Sequence, residues 1–322
     1  MKQAVAFFLI CLLLLPMLLL PVSAAAVPSD PLIALTQKSL DAHLGKDTPG
    51  AAVGIVQEGE VRMLEGFGYA DITSRLLVTP ETVFEIGPLS GIFTVLAAYR
   101  LAEQGRLDLK CDIAAYLPAD FMGELELTHP VTTEQLLLGC GGFEGRTFDL
   151  IFKKASHRFD SLPKALLAEV PRQVVAPGEL YAYSPFGIAL AAYVVECVAG
   201  ESYDGFVTAQ VLTPLGMTRT ALNPDEHTST EGMASGHTSP TEGTFSAVKA
   251  GGRSYAGLYP ASGARSCGAD LVRLVAFLLR GEPTVLQEST RQLTLETVCK
   301  NGIFYRLCPR AFGSGRSPGY NG

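Results

Sequence analysis

A few residues in this chain have the type and spacing that chemistry would need. Ser90 starts a long apolar stretch. A serine at a helix start becomes a nucleophile only with a base on the same face, and Phe93 stands three residues on. Its place fits a polar helix-start residue instead. Gly315-Arg316-Ser317-Pro318-Gly319 reproduces G-x-S-x-G. A nucleophile elbow needs a strand before it, a helix after it, and an acid and a histidine further on. Three residues follow Gly319, so that reading is set aside. The five histidines, His43, His129, His157, His227 and His237, are scattered with no H-x-x-x-H pair, and no metal site is expected. Glu124 and Glu126 alternate as on a solvated strand face. Tyr183 could carry a proton, or could be a buried tyrosine with a hydrogen-bonded hydroxyl. No cofactor motif is found.

The composition narrows the function classes. Hydrophobic residues make up 48% and charged residues 18% of 322, the balance of a globular chain with a sizeable core. The formal net charge is -7 and no Lys/Arg cluster interrupts it. Phosphate contacts need concentrated positive charge, so nucleic acid is not an expected partner.

The first residues read as an address. Lys2 precedes an apolar run from Ala4 to Leu20, and Val22-Ser23-Ala24-Ala25-Ala26 supplies small residues. This is the pattern of a secretory leader, residues 1–24, with cleavage expected after Ala24. The rival is an uncleaved anchor, for which the run is near the lower limit of length and carries Pro16. No later segment is apolar for long enough to span a membrane, so none is expected once the leader is gone. Of seven cysteines, six follow the leader: Cys111, Cys140, Cys197, Cys267, Cys299 and Cys308. None has paired C-x-x-C zinc spacing, and most read as small buried hydrophobes. Cys299 and Cys308 flank the turn dipeptide Asn301-Gly302, which makes them the favoured pair for a bridge.

Hydrophobic periodicity and punctuation then lay out the elements. Pro31 to Leu44 reads as an amphipathic helix with proline at its start. Ala51 to Gln57 and Val61 to Tyr69 read as strands joined through Glu58-Gly59-Glu60. Ile92 to Gln104 is the clearest helix, followed by Gly105 as a stop. Gly187 to Val198, Tyr203 to Leu212 and Gly268 to Leu279 are further helices. Thr228 to Gly252 is rich in Ser, Thr and Gly and reads as a long surface loop. The end of the chain returns to strand-like sequence. Strands, a mainly helical stretch and strand-like sequence again predict an α+β protein with a sheet layer and a helical layer.

Several segments resemble, in order, the β-lactamase-related family of class C β-lactamases, penicillin-binding proteins, D-Ala-D-Ala peptidases and esterases. They are Pro49-Gly50-Ala51-Ala52-Val53 with Gly66-Phe67-Gly68-Tyr69-Ala70-Asp71, then Thr82 to Gly87, Gly105 to Leu109 and Tyr116-Leu117-Pro118. Thr132 to Glu144 resembles the family's "LLTHTSGFE" stretch, and Pro177 to Ser184 and Pro214 to Thr218 are also similar. The resemblance covers about residues 31–322. It implies an antiparallel sheet with flanking helices, the sheet parts about 31–80 and 255–322 and a helical insert about 81–254, all within a domain of residues 25–322.

Acyl transfer in this family uses a serine nucleophile and a lysine three positions later on one helical face. The poorly solvated lysine takes the serine proton. A Tyr-x-Asn motif and a Lys/His-x-Gly motif complete the site. Here the serine position is Pro88 and the lysine position Gly91. Proline also removes a backbone N–H that the family's oxyanion hole uses. The loss of one such donor costs roughly 10²–10³ in rate. Tyr183 is kept from Tyr-x-Asn but Pro185 replaces the asparagine. Gly313 stands at the lost His/Lys position, and Gly139 replaces the histidine of the "LLTHTSG" stretch. The family places two more strands and a helix after the third motif, whereas this sequence stops at Asn321-Gly322, which reads as a truncated end.

The resemblance therefore implies an extracytoplasmic homologue, secreted, periplasmic or at the cell surface, without hydrolase activity. Its expected ligand is a cell-wall peptide or another exported protein. Two rivals stay open: an active serine hydrolase with displaced residues, and a non-functional gene fragment.

Overall fold

The structure is a computed structural model. It describes residues 30–144, 151–152, 159–168, 170–224, 231–247, 255–281 and 284–300. The leader, Cys308 of the expected bridge and the third motif at Gly313 lie outside the described residues. The chain divides into two compact units, Met1–His43 and Leu44–Gly322. In the first, α1 (Pro31–His43) is the described element. Asp30 Oδ1 accepts the Leu32 N–H at 2.9 Å, and Pro31 sits where a missing N–H does no harm.

The second unit begins with an antiparallel hairpin, β1 (Gly50–Gln57) and β2 (Glu60–Asp71), extended on the β2 side by β3 (Leu76–Leu77). Glu58 and Gly59 both have positive φ, 53° and 83°, the signature of a two-residue type I′ turn. A bulge falls between Ile55 and Val56. The other strand pairs are short and also antiparallel. β4 (Val83–Glu85) pairs with β9 (Arg265–Cys267), β5 (Ile151–Phe152) with β8 (Tyr255–Ala256), and β6 (His237–Thr241) with β7 (Thr244–Ala247).

Two helices form the centre of the core. α2 (Gly91–Glu103) and α6 (Pro185–Ala199) are apolar around most of their circumference and pack against each other. Phe93, Val95, Leu96, Leu190 and Val194 are fully buried. α3 (Ala119–Leu125), α4 (Thr133–Leu137), α5 (Leu162–Ala168) and α7 (Tyr203–Val207), the last continued by a π-helical turn at Thr208–Leu212, surround them. The one-turn helix α8 (Tyr259–Ser262) leads into β9, and α9 (Gly268–Arg280) packs on the β1–β2 hairpin. A Cβ at Gly54 would collide with Val272 of α9, so the glycine lets strand and helix approach closely. α10 (Glu288–Lys300) packs on α2. Among the described residues no single helix is long and apolar enough to cross a membrane.

The seven elements read from the sequence match described ones to within one or two residues at most boundaries, while α3, α4, α5, α8 and the strands other than β1 and β2 were not among them. Three further places differ. The stretch read as a long loop contains the β6–β7 hairpin, turned through Gly243 at φ 75° and closed by Thr241 and Thr244 side chains 2.6 Å apart. The strand-like end is preceded by α10, which the sequence did not announce. Glu124 and Glu126 are exposed as expected, but they end a helix. Glu124 lies in α3 and Glu126, at φ 48°, is its left-handed cap.

Candidate functional site

The first motif is positioned by β4 and the turn beyond it. The β4–β9 ladder continues past Glu85 through Ile86, whose N–H donates to Ala264 O at 3.0 Å. Gly87, at φ 52°, then turns the chain into a single 3₁₀ turn, Gly87–Ser90, which runs directly into α2. Pro88 occupies its first positions, where its fixed φ and missing N–H are tolerated. The result is a helix start of regular geometry that presents neither a hydroxyl nor an amide proton at residue 88.

Ser90 is 1% exposed and fully engaged. Its hydroxyl donates to Gly87 O at 2.6 Å and its oxygen accepts the Ala264 N–H at 3.0 Å. It sits at the cap position of α2 but makes no capping bond to the helix. The hydroxyl ties the motif turn to the segment that precedes β9. Gly91 is buried at the first residue of α2, where an ammonium would lose its hydration.

The second motif lies at the start of α6. Ser184 is the cap residue and accepts the Gly187 N–H at 3.1 Å, with Pro185 at the first helical position. Tyr183 precedes the cap. Its hydroxyl oxygen is buried and has no hydrogen-bond partner among the described residues, unlike the hydrogen-bonded tyrosine the sequence allowed. Burial pushes its pKa well above the ordinary tyrosine range, so the phenol stays protonated at neutral pH.

The loop at Gly139, read in the sequence as the place of the family's histidine, is laced to the approach of this motif. The Ala182 N–H donates to Gly139 O, Gly178 N–H to Cys140 O and Val174 N–H to Gly142 O, each at 2.8 Å. Gly139 has φ 71°, and a Cβ there would lie 3.2 Å from the Tyr181 ring. Cys140 is half-buried, and its burial pushes the thiol pKa up, away from the nucleophilic thiolate. Thus Pro88 and Tyr183 lie at the approaches to two helices that pack on each other, with Gly139 bonded to Ala182 beside Tyr183.

Three buried charges were missed in the sequence: Arg265, Asp270 and, on α10, Arg291. Arg265 of β9 is 2% exposed, lies 3.6 Å from Glu85 Oε1 and stacks over the Tyr255 ring at 5.8 Å. Asp270 is 1% exposed and accepts from the Arg219 N–H and Thr220 Oγ1, both at 2.8 Å, with Arg273 at 2.9 Å. Arg265 and Asp270, which with Arg273 interrupt the apolar residues between Ala261 and Leu279, were the available signal. A cavity of about 490 Å³ opens at the other end of α6, lined in part by Asp160, Glu196, Glu201, Asp204 and Tyr259. It is roughly 20 Å along the helix from Tyr183, taking 1.5 Å per residue. Among the described residues no group of three His, Cys, Asp or Glu side chains could hold a metal ion.

Comparison with known proteins decides the family. The sequence profile of the family described as Beta-lactamase matches residues 36–317. This chain belongs to the β-lactamase family. Within that family it is similar to Protein flp of Staphylococcus aureus (strain MRSA252), 30% identical over 183 residues, which are 56% of this chain and 36% of that protein. It is also similar to Penicillin-binding protein 4 of Amycolatopsis lactamdurans, 27% identical over 178 residues, 55% of this chain and 46% of that one. The matched stretch spans less than half the length of either relative. The structure resembles the octameric penicillin-binding protein homologue from Pyrococcus abyssi with a TM-score of 0.67 at 23% identity, covering 82% of this chain and 59% of that one. The fold is thus the β-lactamase and penicillin-binding-protein fold, an antiparallel sheet with helices, as its motifs suggested.

Proposed function

We propose that this β-lactamase-family chain is an exported, non-hydrolysing member that keeps the family's cleft as a binding site. The observation that carries the reading is the turn at Gly87–Ser90. Residue 88 offers no hydroxyl and no N–H, and the nearby Ser90 hydroxyl is spent on Gly87 and Ala264. Acyl transfer needs a nucleophile, a base and an oxyanion hole acting together. Pro88 and Gly91 supply none of these, while the helix they start is intact.

The Tyr183 hydroxyl supports retained binding. A buried hydroxyl without a protein partner among the described residues is a hydrogen-bonding group available to a ligand. The ligand class proposed is a cell-wall peptide or a segment of another exported protein. Binding of a synthetic cell-wall stem peptide to the purified chain, followed by calorimetry and product analysis, tests the proposal. The expected result is saturable binding without cleavage, weakened in Tyr183→Phe. Cleavage of the peptide, or equal binding by the variant, contradicts it.

A further inference from the structure

The segment Glu231–Ala247 lies as a strap across three parts of the second unit. It is bonded to the strand that feeds the motif turn, with Val83 N–H donating to Gly232 O and Ala234 N–H to Val83 O, both at 2.9 Å. It is bonded to the end of β2, with Ser235 N–H donating to Ala70 O at 2.9 Å and Ser235 Oγ to Asp71 Oδ2 at 2.6 Å. Its hairpin turn reaches the residues before β1, with Gly243 N–H donating to Lys46 O at 2.6 Å. One further bond differs in kind. The Ile72 backbone N–H donates to His237 Nε2 at 3.3 Å, across 165 residues of sequence.

We infer that His237 is a pH-sensitive latch between the strap and the β2–β3 turn. A neutral imidazole accepts through its unprotonated nitrogen. Once Nε2 takes up a proton it becomes a donor, and two N–H groups then face each other. Histidine is the side chain whose charge ordinarily changes between pH 5 and 8. His237 is half-buried at the first residue of β6, so the lost bond falls where the strap leaves the sheet and becomes a hairpin.

Charged groups on the elements around it are Asp71 and Arg75 at the β2–β3 turn, Lys46 ahead of β1, and Glu231 and Glu242 within the strap. Asp71 is held below the usual carboxylate range, chiefly by the Ser235 hydroxyl, and so stays negative as imidazole protonates. The other bonds described for the strap's anchorage use backbone groups, the Ser235 hydroxyl, this carboxylate and the Arg219 guanidinium, which donates to Glu231 O at 3.2 Å, whereas the Ile72 contact is made through an imidazole. The same strap braces Val83, four residues before Gly87. Acidification therefore loosens the support of the strand that leads to the motif turn.

The test is amide hydrogen exchange on the full chain between pH 8 and pH 5, corrected for the intrinsic rate, with His237→Gln alongside. Glutamine presents a carbonyl oxygen that accepts at every pH in this range. The expected result is a fall in Ile72 protection of roughly threefold to tenfold in the wild type on acidification, the size of one net hydrogen bond, and a flat profile in the variant. A flat wild-type profile, or the same fall in both proteins, overturns the inference. If the variant does not fold, the wild-type Ile72 amide resonance is compared with the His237 ring titration. A shared midpoint supports the latch and separate midpoints overturn it.

Discussion

At residue 88, read as the family's nucleophile position, proline supplies neither a hydroxyl nor a backbone donor. Ser90 and Tyr183 turn this into measurable statements. Ser90 makes two buried hydrogen bonds, so Ser90→Ala strips Gly87 O of a donor and leaves the Ala264 N–H buried without its acceptor. The expected cost is about 1–3 kcal/mol, read by urea denaturation. A change within error would show that the hydroxyl does not tie the turn to its neighbour. Tyr183 is the opposite case. Its hydroxyl is buried without a partner among the described residues, so Tyr183→Phe removes an unsatisfied group. Stability should stay level or rise by up to about 1 kcal/mol. A loss larger than about 1 kcal/mol would mean that the hydroxyl is already bonded within the folded chain.

At the scale of elements, the loop at Gly139 is bound to the approach of α6 through its backbone and needs a left-handed residue. Gly139→Ala is expected to cost at least about 1 kcal/mol, from the positive φ and the contact with Tyr181 together, checked by thermal denaturation with calorimetry. An unchanged midpoint would place no special demand on that position. The elements also show how much could be read from sequence. α2 and α6 were legible because they are apolar nearly all round and end in glycine or start at proline. α10 was not, because the side it buries is polar. Arg291, Thr294 and Thr297 are buried, Thr297 meets the Tyr99 hydroxyl at 2.7 Å, and Arg291 bonds Leu278 O. Such a helix has no apolar stripe for periodicity to find. The β6–β7 hairpin hid in the same way, since its Thr, Ser and Gly residues read as loop. Order and spacing assigned the first two motifs to Pro88 and Tyr183, at the approaches to α2 and α6. The commitment of Ser90 to Ala264 could not, because its partner lies 174 residues away.

At the scale of the whole molecule, the family profile matches residues 36–317, and the proposed function separates that fold from the family's chemistry. Restoring one motif should therefore not restore the activity. In Pro88→Ser with Gly91→Lys, the nucleophile, its N–H and a base return to one helical face. Pro185, at the position read as the motif's asparagine, and Gly313, at the position read as its later cation, still lack those groups, and groups of this kind act as a unit. Nitrophenyl acetate hydrolysis by the double variant should stay near that of the parent chain. Saturable turnover at family-like rates would show that the rest of the site is intact.

The most direct test of the central claim is intact-mass spectrometry of the purified wild-type chain after prolonged incubation with benzylpenicillin and, separately, with a fluorophosphonate. A family member with a working serine is acylated or phosphonylated, and the adduct appears as a fixed mass increase. With proline at residue 88 and the Ser90 hydroxyl held between Gly87 and Ala264, the expected spectrum is the unmodified mass with both reagents. A stoichiometric adduct with either, mapped by peptide sequencing to Ser90 or to any other residue, would contradict the account and establish a displaced nucleophile.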